Sequence, residues 1–212
     1  MTTGAPYRRR RRTPIVTVVS VLAVGAVVTW SVVLAGAAGP GGPQACPAPP
    51  AGDLPGTSLE SGALDDVAPA PPATIPVRVL NAGGQRGQAN LVAAQLADLG
   101  FGEAEPPRND PFFPDGDMDC VGQLRFGPAG EGAASTLSLV LPCVELIRDD
   151  RPDPSVDVSV GTGFGDANPS RPVRDVLETL GAPSPAGGED SADPPTTPDP
   201  AALSEAREAA AC

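Results

Sequence analysis

Histidine and lysine are both missing from these 212 residues, and all 14 basic residues are arginine. Without histidine, Ser-His-Asp and Cys-His nucleophilic machinery is excluded, as are the common His-containing zinc sites. No side chain has an ordinary pKa near neutrality. Aromatic residues are scarce at 3%. Proline (28) and glycine (25) together make up a quarter of the chain, near the level of disordered segments. Part of the length is therefore expected to be linker around one domain.

Basic charge is also short where it would matter. Five of the arginines are consecutive, Arg8 to Arg12, and every acidic residue follows them. Nine arginines then face 26 Asp and Glu, a net charge of about −17 for the remainder. Nucleic-acid binding and electrostatic adhesion to anionic lipid both need basic patches, so neither is expected.

Residues 15–38 open with 21 residues free of charge, Ile15 to Ala35. A helix of about 20 apolar residues spans a bilayer core. The arginines before it place residues 1–14 in the cytoplasm by the positive-inside rule. Ala35-Gly36-Ala37 has the form of a signal-peptidase site, but a signal core is usually shorter, about 7–15 residues. We therefore expect a retained single-pass helix with everything after it outside. Cys46, Cys120, Cys143 and Cys212 all follow this segment, as export to an oxidising compartment predicts.

Residues 39–74 read as a Pro/Gly/Ala-rich linker, and residues 182–212 as a disordered acidic tail in which "AALSEAREAAA" has helical potential. The region between, 75–181, carries periodic elements. "IPVRVLN" is strand-like. Gln88 to Leu99 places Ala89, Val92, Ala93, Leu96 and Leu99 on one helical face, and Gly100 stops it. "VGQLRF" is a second strand, followed by a helix from Pro128 to Leu141 and a strand at "CVELIR". "VDVSV" alternates as a half-buried strand. A last helix runs from a Ser170 cap to Gly181 with Val173, Val176, Leu177 and Leu180 inward. The order β-α-β-α-β-β-α predicts a small α/β sandwich with a partly parallel sheet, preceded by one transmembrane helix.

"VRVLNAGGQRGQANLVAAQLADLGF", Val77 to Phe101, resembles the opening of the LytR C-terminal domain: a strand, an Asn, a Gly-containing turn and an Ala/Leu helix ending in Leu-Gly-Phe. The run from Asn109 to Leu146 is similar to actinobacterial envelope proteins of this kind. The resemblance implies an exported, anchored protein that helps maintain the cell envelope, with no established catalytic activity. The glycopolymer-transferring domain often fused upstream of such modules has no counterpart here, since the residues before Ile75 read as anchor and linker.

Five features invite a functional reading. Asn81, Gly83, Gly84, Arg86 and Gly87 form a turn between strand and helix. Backbone N–H groups at a helix N-terminus attract anions and Arg86 adds a forked donor, so an anionic or glycan ligand is one expectation. The plainer one is that the glycines let the chain reverse at low steric cost. The spacing fits neither the dinucleotide fingerprint nor the P-loop. "DGDMD" (Asp115, Asp117, Asp119) begins like a calcium loop, but positions six and twelve are Cys120 and Phe126 rather than Gly and Glu. "GTGFG" after Val160 reads as a flexible loop. Asp149-Asp150 is a carboxylate pair, but a glycosidase needs carboxyls facing across a cleft. No metal or cofactor is expected.

The last feature is the cysteines. If the strands after Cys120 and at Cys143 are adjacent and parallel, joined by the Pro128–Leu141 helix, their starts lie at one end of the sheet. Strand spacing of about 4.8 Å then permits a Cys120–Cys143 disulfide. The main alternative is Cys46 with Cys120. The expected role is non-enzymatic: binding a cell-wall glycopolymer or an envelope protein. An enzyme acting on wall glycopolymers and a purely structural adaptor are the alternatives.

Overall fold

The computed structural model describes residues 22–30, 45–50, 52, 56–182 and 197–212. The chain divides into two units, Met1–Gly41 and Gly42–Cys212. In the first, α1 covers the described residues 22–30, with Leu22, Val24, Val27, Val28 and Trp30 exposed. Among the described residues no helix is long and apolar enough to cross a membrane. The rest of the expected span, and the arginine cluster before it, lie outside the described residues.

The second unit holds a six-stranded sheet formed by β1 (Gly56–Leu59), β2 (Pro76–Asn81), β3 (Gly102–Asn109), β4 (Gly122–Phe126), β5 (Glu145–Asp149) and β6 (Val156–Val160). Its order is β1-β5-β4-β6-β2-β3. Helix α2 (Gln88–Asp98) connects the parallel pair β2 and β3, and α3 (Glu131–Val140) connects the parallel pair β4 and β5. Between these units β6 runs parallel to β2 and antiparallel to β4. Helices α4 (Arg171–Gly181) and α5 (Pro200–Ala209) complete the fold and pack on each other. The expected α/β architecture with a partly parallel sheet is present.

Alternation along the strands separates the two faces. Val77 and Val79, Leu124 and Phe126, and Val156, Val158 and Val160 join one core with buried residues from all four of these helices. Helix α4 buries Val173, Val176, Leu177 and Leu180, the stripe its sequence spacing requires. Each such side chain is worth roughly 1.5–3 kcal/mol relative to exposure. Gly100 ends the α2 region at φ +88°, a left-handed stop that favours glycine. Ser170 occupies the α4 N-cap position but makes no side-chain capping bond.

The opposite face carries Arg78, Gln123, Arg125, Glu145, Asp157 and Ser159. Part of it is covered by chain rather than helix. Asp110 ion-pairs with Arg125, Phe112 rests over that guanidinium, and Phe113 and Met118 bury with Ala82 and Cys120.

Regular structure extends into segments that the sequence reads as linker, loop or tail, including the "AALSEAREAAA" stretch with helical potential. The 39–74 spacer contains β1, which adds an edge strand antiparallel to β5, and a 3-10 turn at Pro72–Thr74. Residues 102–109, "GEAEPPRN", form the other edge strand. Pro106 and Pro107 are tolerated because β3 pairs on one side only, with β2. The tail contains α5, capped by Asp199 through Ala201 N, with Ala206 fully buried. The compact unit therefore extends beyond 75–181 at both ends.

The disulfides are Cys46–Cys120 and Cys143–Cys212, with Cα separations of 5.1 and 5.4 Å. This corrects the Cys120–Cys143 expectation, although β4 and β5 are adjacent and parallel as it required. Both cysteines precede their strands and turn away from each other. Cys120 is buried with Phe113 and Met118 in the covering segment. Cys143 adopts φ +67° and meets Cys212, which follows α5 on the helical side.

Candidate functional site

The three loops singled out in the sequence meet at one place. They are the β2–α2 turn (82–87), the 115–119 segment and the 161–164 loop after β6. Backbone hydrogen bonds join them: Ala82 N to Val160 O, Met118 N to Ala82 O, and Thr162 N to Met118 O. Strands β2 and β6 are parallel, so both deliver their carboxyl ends here. In open α/β sheets such ends are where ligands commonly bind.

Glycine makes the convergence sterically possible. A Cβ on Gly83 would lie 2.6 Å from the Gly161 carbonyl, and one on Gly116 would lie 2.3 Å from Gly84 Cα. Gly84, Gly87 and Gly116 have φ of +70°, +81° and +69°. Gly87 differs from the others in having open space around its side-chain position, so its requirement is conformational: it is the left-handed N-cap of α2. Four of the five residues expected at this turn thus have assigned structural roles. Asn81 closes the turn by donating from Nδ2 to Gln85 O at 2.9 Å. Arg86 is exposed and enters no ion pair among the described residues.

Two acceptors at the junction lack partners. Asn81 Oδ1 and Gln88 Oε1 are buried without a hydrogen bond. Gln88 is 7% exposed and its Nε2 donates to Gly161 O at 3.4 Å, so its carboxamide bridges α2 to the 161–164 loop. Thr162 donates to Asp119 Oδ1 at 2.9 Å, which joins two segments that the sequence reading treated separately. Asp115, Asp117 and Asp119 are exposed, and among the described residues no cluster of potential metal ligands is present. Gln88 carries no motif signal; it stands out only once its neighbour Gly161, 73 residues away, is known.

A second polar constellation lies on the chain-covered sheet face. Arg125 is 1% exposed and pairs with Asp110 at 2.8 Å. It also donates from Nε and Nη2 to Gln123 Oε1, while Nη1 has no partner. Gln123 donates to Glu145 at 2.8 Å, Glu145 accepts from Ser58 Oγ and Cys46 N, and Ser159 donates to Asp110. Further along the face, Arg151 bridges Asp149 and Asp157. Burial by itself would lower the Arg151 pKa; the hydrogen bonds to Asp157 and Asp149 outweigh it and hold the guanidinium above its ordinary range. A separate crevice between α2 and the β2–β3 edge, touching Val79, Leu96 and Phe101, offers about 10 Å³. That is at most one water's worth of space.

The comparisons agree with the fold. The family model described as LytR cell envelope-related transcriptional attenuator matches residues 74–164. The chain is 42% identical over 167 residues to the cell envelope integrity protein Cei of Mycobacterium tuberculosis, covering 76% of each chain. The crystal structure of the soluble domain of a conserved hypothetical secreted protein from Mycobacterium marinum superposes with a TM-score of 0.61. It is 38% identical and covers 74% of this chain and 99% of that one. The chain belongs to the LytR C-terminal domain family, close to the cell envelope integrity protein Cei.

Proposed function

We propose that this protein helps maintain the cell envelope as a non-catalytic, membrane-anchored extracytoplasmic module that holds wall material or an envelope partner. The observation that carries this reading is the 42% identity to Cei across 76% of both chains. Two disulfides support an oxidising compartment, and the secreted Mycobacterium marinum relative supports export of the domain. The uncharged run behind five arginines supports the anchor.

The test is a pull-down of the purified chain on insoluble peptidoglycan and arabinogalactan, with gene deletion in its host. Saturable retention on one polymer, with detergent and lysozyme sensitivity in the deletion strain, is the expected result. No retention on wall polymers, together with wild-type sensitivity of the deletion strain, would overturn the proposal.

A further inference from the structure

We infer that helix α2 is the contact face of a two-fold pair, in which two copies of this chain pack their α2 helices side by side and antiparallel. This goes beyond the proposed function. One point rests on that reading: copies anchored in the same membrane meet at a raised effective concentration.

The inference starts from where α2 keeps its charges. A helix is positive at its N-terminus and negative at its C-terminus, so acids suit the first turn and bases the last. Helix α2 has no acid in its first turn and no base in its last. It carries the reverse: Arg86 stands just before the Gly87 N-cap, and Asp98 is the final helical residue. Both are exposed, and neither side chain has an ion pair or hydrogen bond among the described residues. That holds for Arg86 although acids outnumber arginines 26 to 14. Within one copy each charge lies at the unfavourable pole. Beside an antiparallel copy each lies at the favourable one, because Arg86 meets the partner's Asp98 and the negative end of its helix. A two-fold axis that makes this contact makes its mirror contact too, so the spacing matches without adjustment.

The surface between the two charges suits such a contact. Leu91, 57% exposed, is the one large apolar side chain left exposed among the described residues of the second unit. At about 100° per residue, Leu91, Ala94 and Asp98 lie within about 60° of one another, with Asn90 and Ala97 beside them. All five are exposed, so this face carries no charge between its two ends. That matters in a chain of net charge −12, since two copies meeting at an acidic face would repel. Alanines let helix axes approach to the near end of the usual 8–10 Å, roughly, and Leu91 then packs against its counterpart across the axis. A small anion would answer Arg86 alone and leave Asp98 and Leu91 without a partner. A second copy answers all three.

The experiment is energy transfer between copies of the purified full chain in phosphatidylcholine vesicles. The chain has no lysine, so an amine-reactive dye labels its N-terminus alone. Donor- and acceptor-labelled wild-type copies are expected to show transfer. Arg86→Asp and Asp98→Arg should each weaken association at least about fivefold, because two opposite-charge contacts per pair become like-charge ones. Mixing the Arg86→Asp chain with the Asp98→Arg chain should restore it, since both contacts then again join opposite charges. The gap between wild type and the single variants should narrow in 1 M NaCl, where the screening length is about 3 Å. Both substitutions agree with the helix poles, so the melting temperature of each dilute variant should equal or exceed that of wild type. This separates a lost contact from a lost fold. No transfer between wild-type copies, or transfer that neither variant alters, would overturn the inference. Failure of the mixed variants to recover would do the same, as it must for a parallel pair, which sets Arg86 against the partner's Arg86. Wall-polymer retention is read separately: rescue without retention would count against the proposed function alone, and retention without rescue against this inference alone.

Discussion

A single side chain, Arg125, shows how a charged residue can belong to a core. Its cation sits at 1% exposure between Asp110, Gln123 and the ring of Phe112. Such a pair gains little net stability over an apolar one, because desolvation consumes the attraction, but breaking it leaves a buried charge alone. Arg125→Ala is expected to cost about 3–5 kcal/mol in urea denaturation; a change under about 1 kcal/mol would show that Asp110 finds another donor or water. The junction glycines permit a sharper contrast. Gly116→Ala forces a Cβ against Gly84 at a left-handed φ and is expected to cost about 2–4 kcal/mol. Gly165→Ala, with open space and no positive φ, should change stability by less than about 0.5 kcal/mol. Neither contact is visible in sequence, since Gly84 and Gly116 are brought together only by the fold.

Elements with their own periodicity were legible before any coordinates; elements made by pairing were not. The α4 stripe and the 156–160 alternation announce themselves because local spacing alone decides which face is buried. β1 has four residues and no apolar alternation, and exists because β5 offers an unpaired edge. β3 hides behind two prolines that an edge strand accommodates. Helix α5 is a short Ala/Glu segment whose place depends on α4, on Arg207 reaching the Leu64 and Val67 carbonyls, and on the Cys143–Cys212 bridge. Cys212→Ser is therefore expected to release α5 selectively. Hydrogen exchange should show amides 200–210 losing protection while β2, β4 and β6 keep theirs, with total stability falling by about 2–4 kcal/mol. Equal loss across the sheet would show that α5 and the sheet unfold as one unit.

At the scale of the whole molecule, the missing histidine becomes a measurable property. All four cysteines are bridged and do not titrate. Between pH 6 and 9 no ordinary side chain changes charge, so melting temperature should vary by less than about 2 °C over that range. Below it, stability should fall. Asp153 is an instance of the sign: the adjoining Ser155, whose backbone N–H donates to Oδ1 at 3.0 Å, holds its carboxyl below the ordinary range when folded. Its contribution is present above the ordinary carboxylate value and disappears as pH drops through the folded one. A steep change near pH 6.5 would reveal a titrating group that the residue inventory does not contain.

The two bridges also determine how the molecule would answer a pull on its ends. Cys46 is joined to Cys120 and Cys143 to Cys212. A stretching force applied at the two termini therefore bypasses residues 47–119 and 144–211, which hang as slack loops off the line of tension. Of the bridged region, only β4, α3 and their connections lie in the loaded path. Even with that stretch fully unravelled, the 22 residues from Val121 to Pro142 would lengthen to only about 75 Å. The β2–α2 turn lies in the first sheltered loop, so tension along the chain would pass it by without drawing it open.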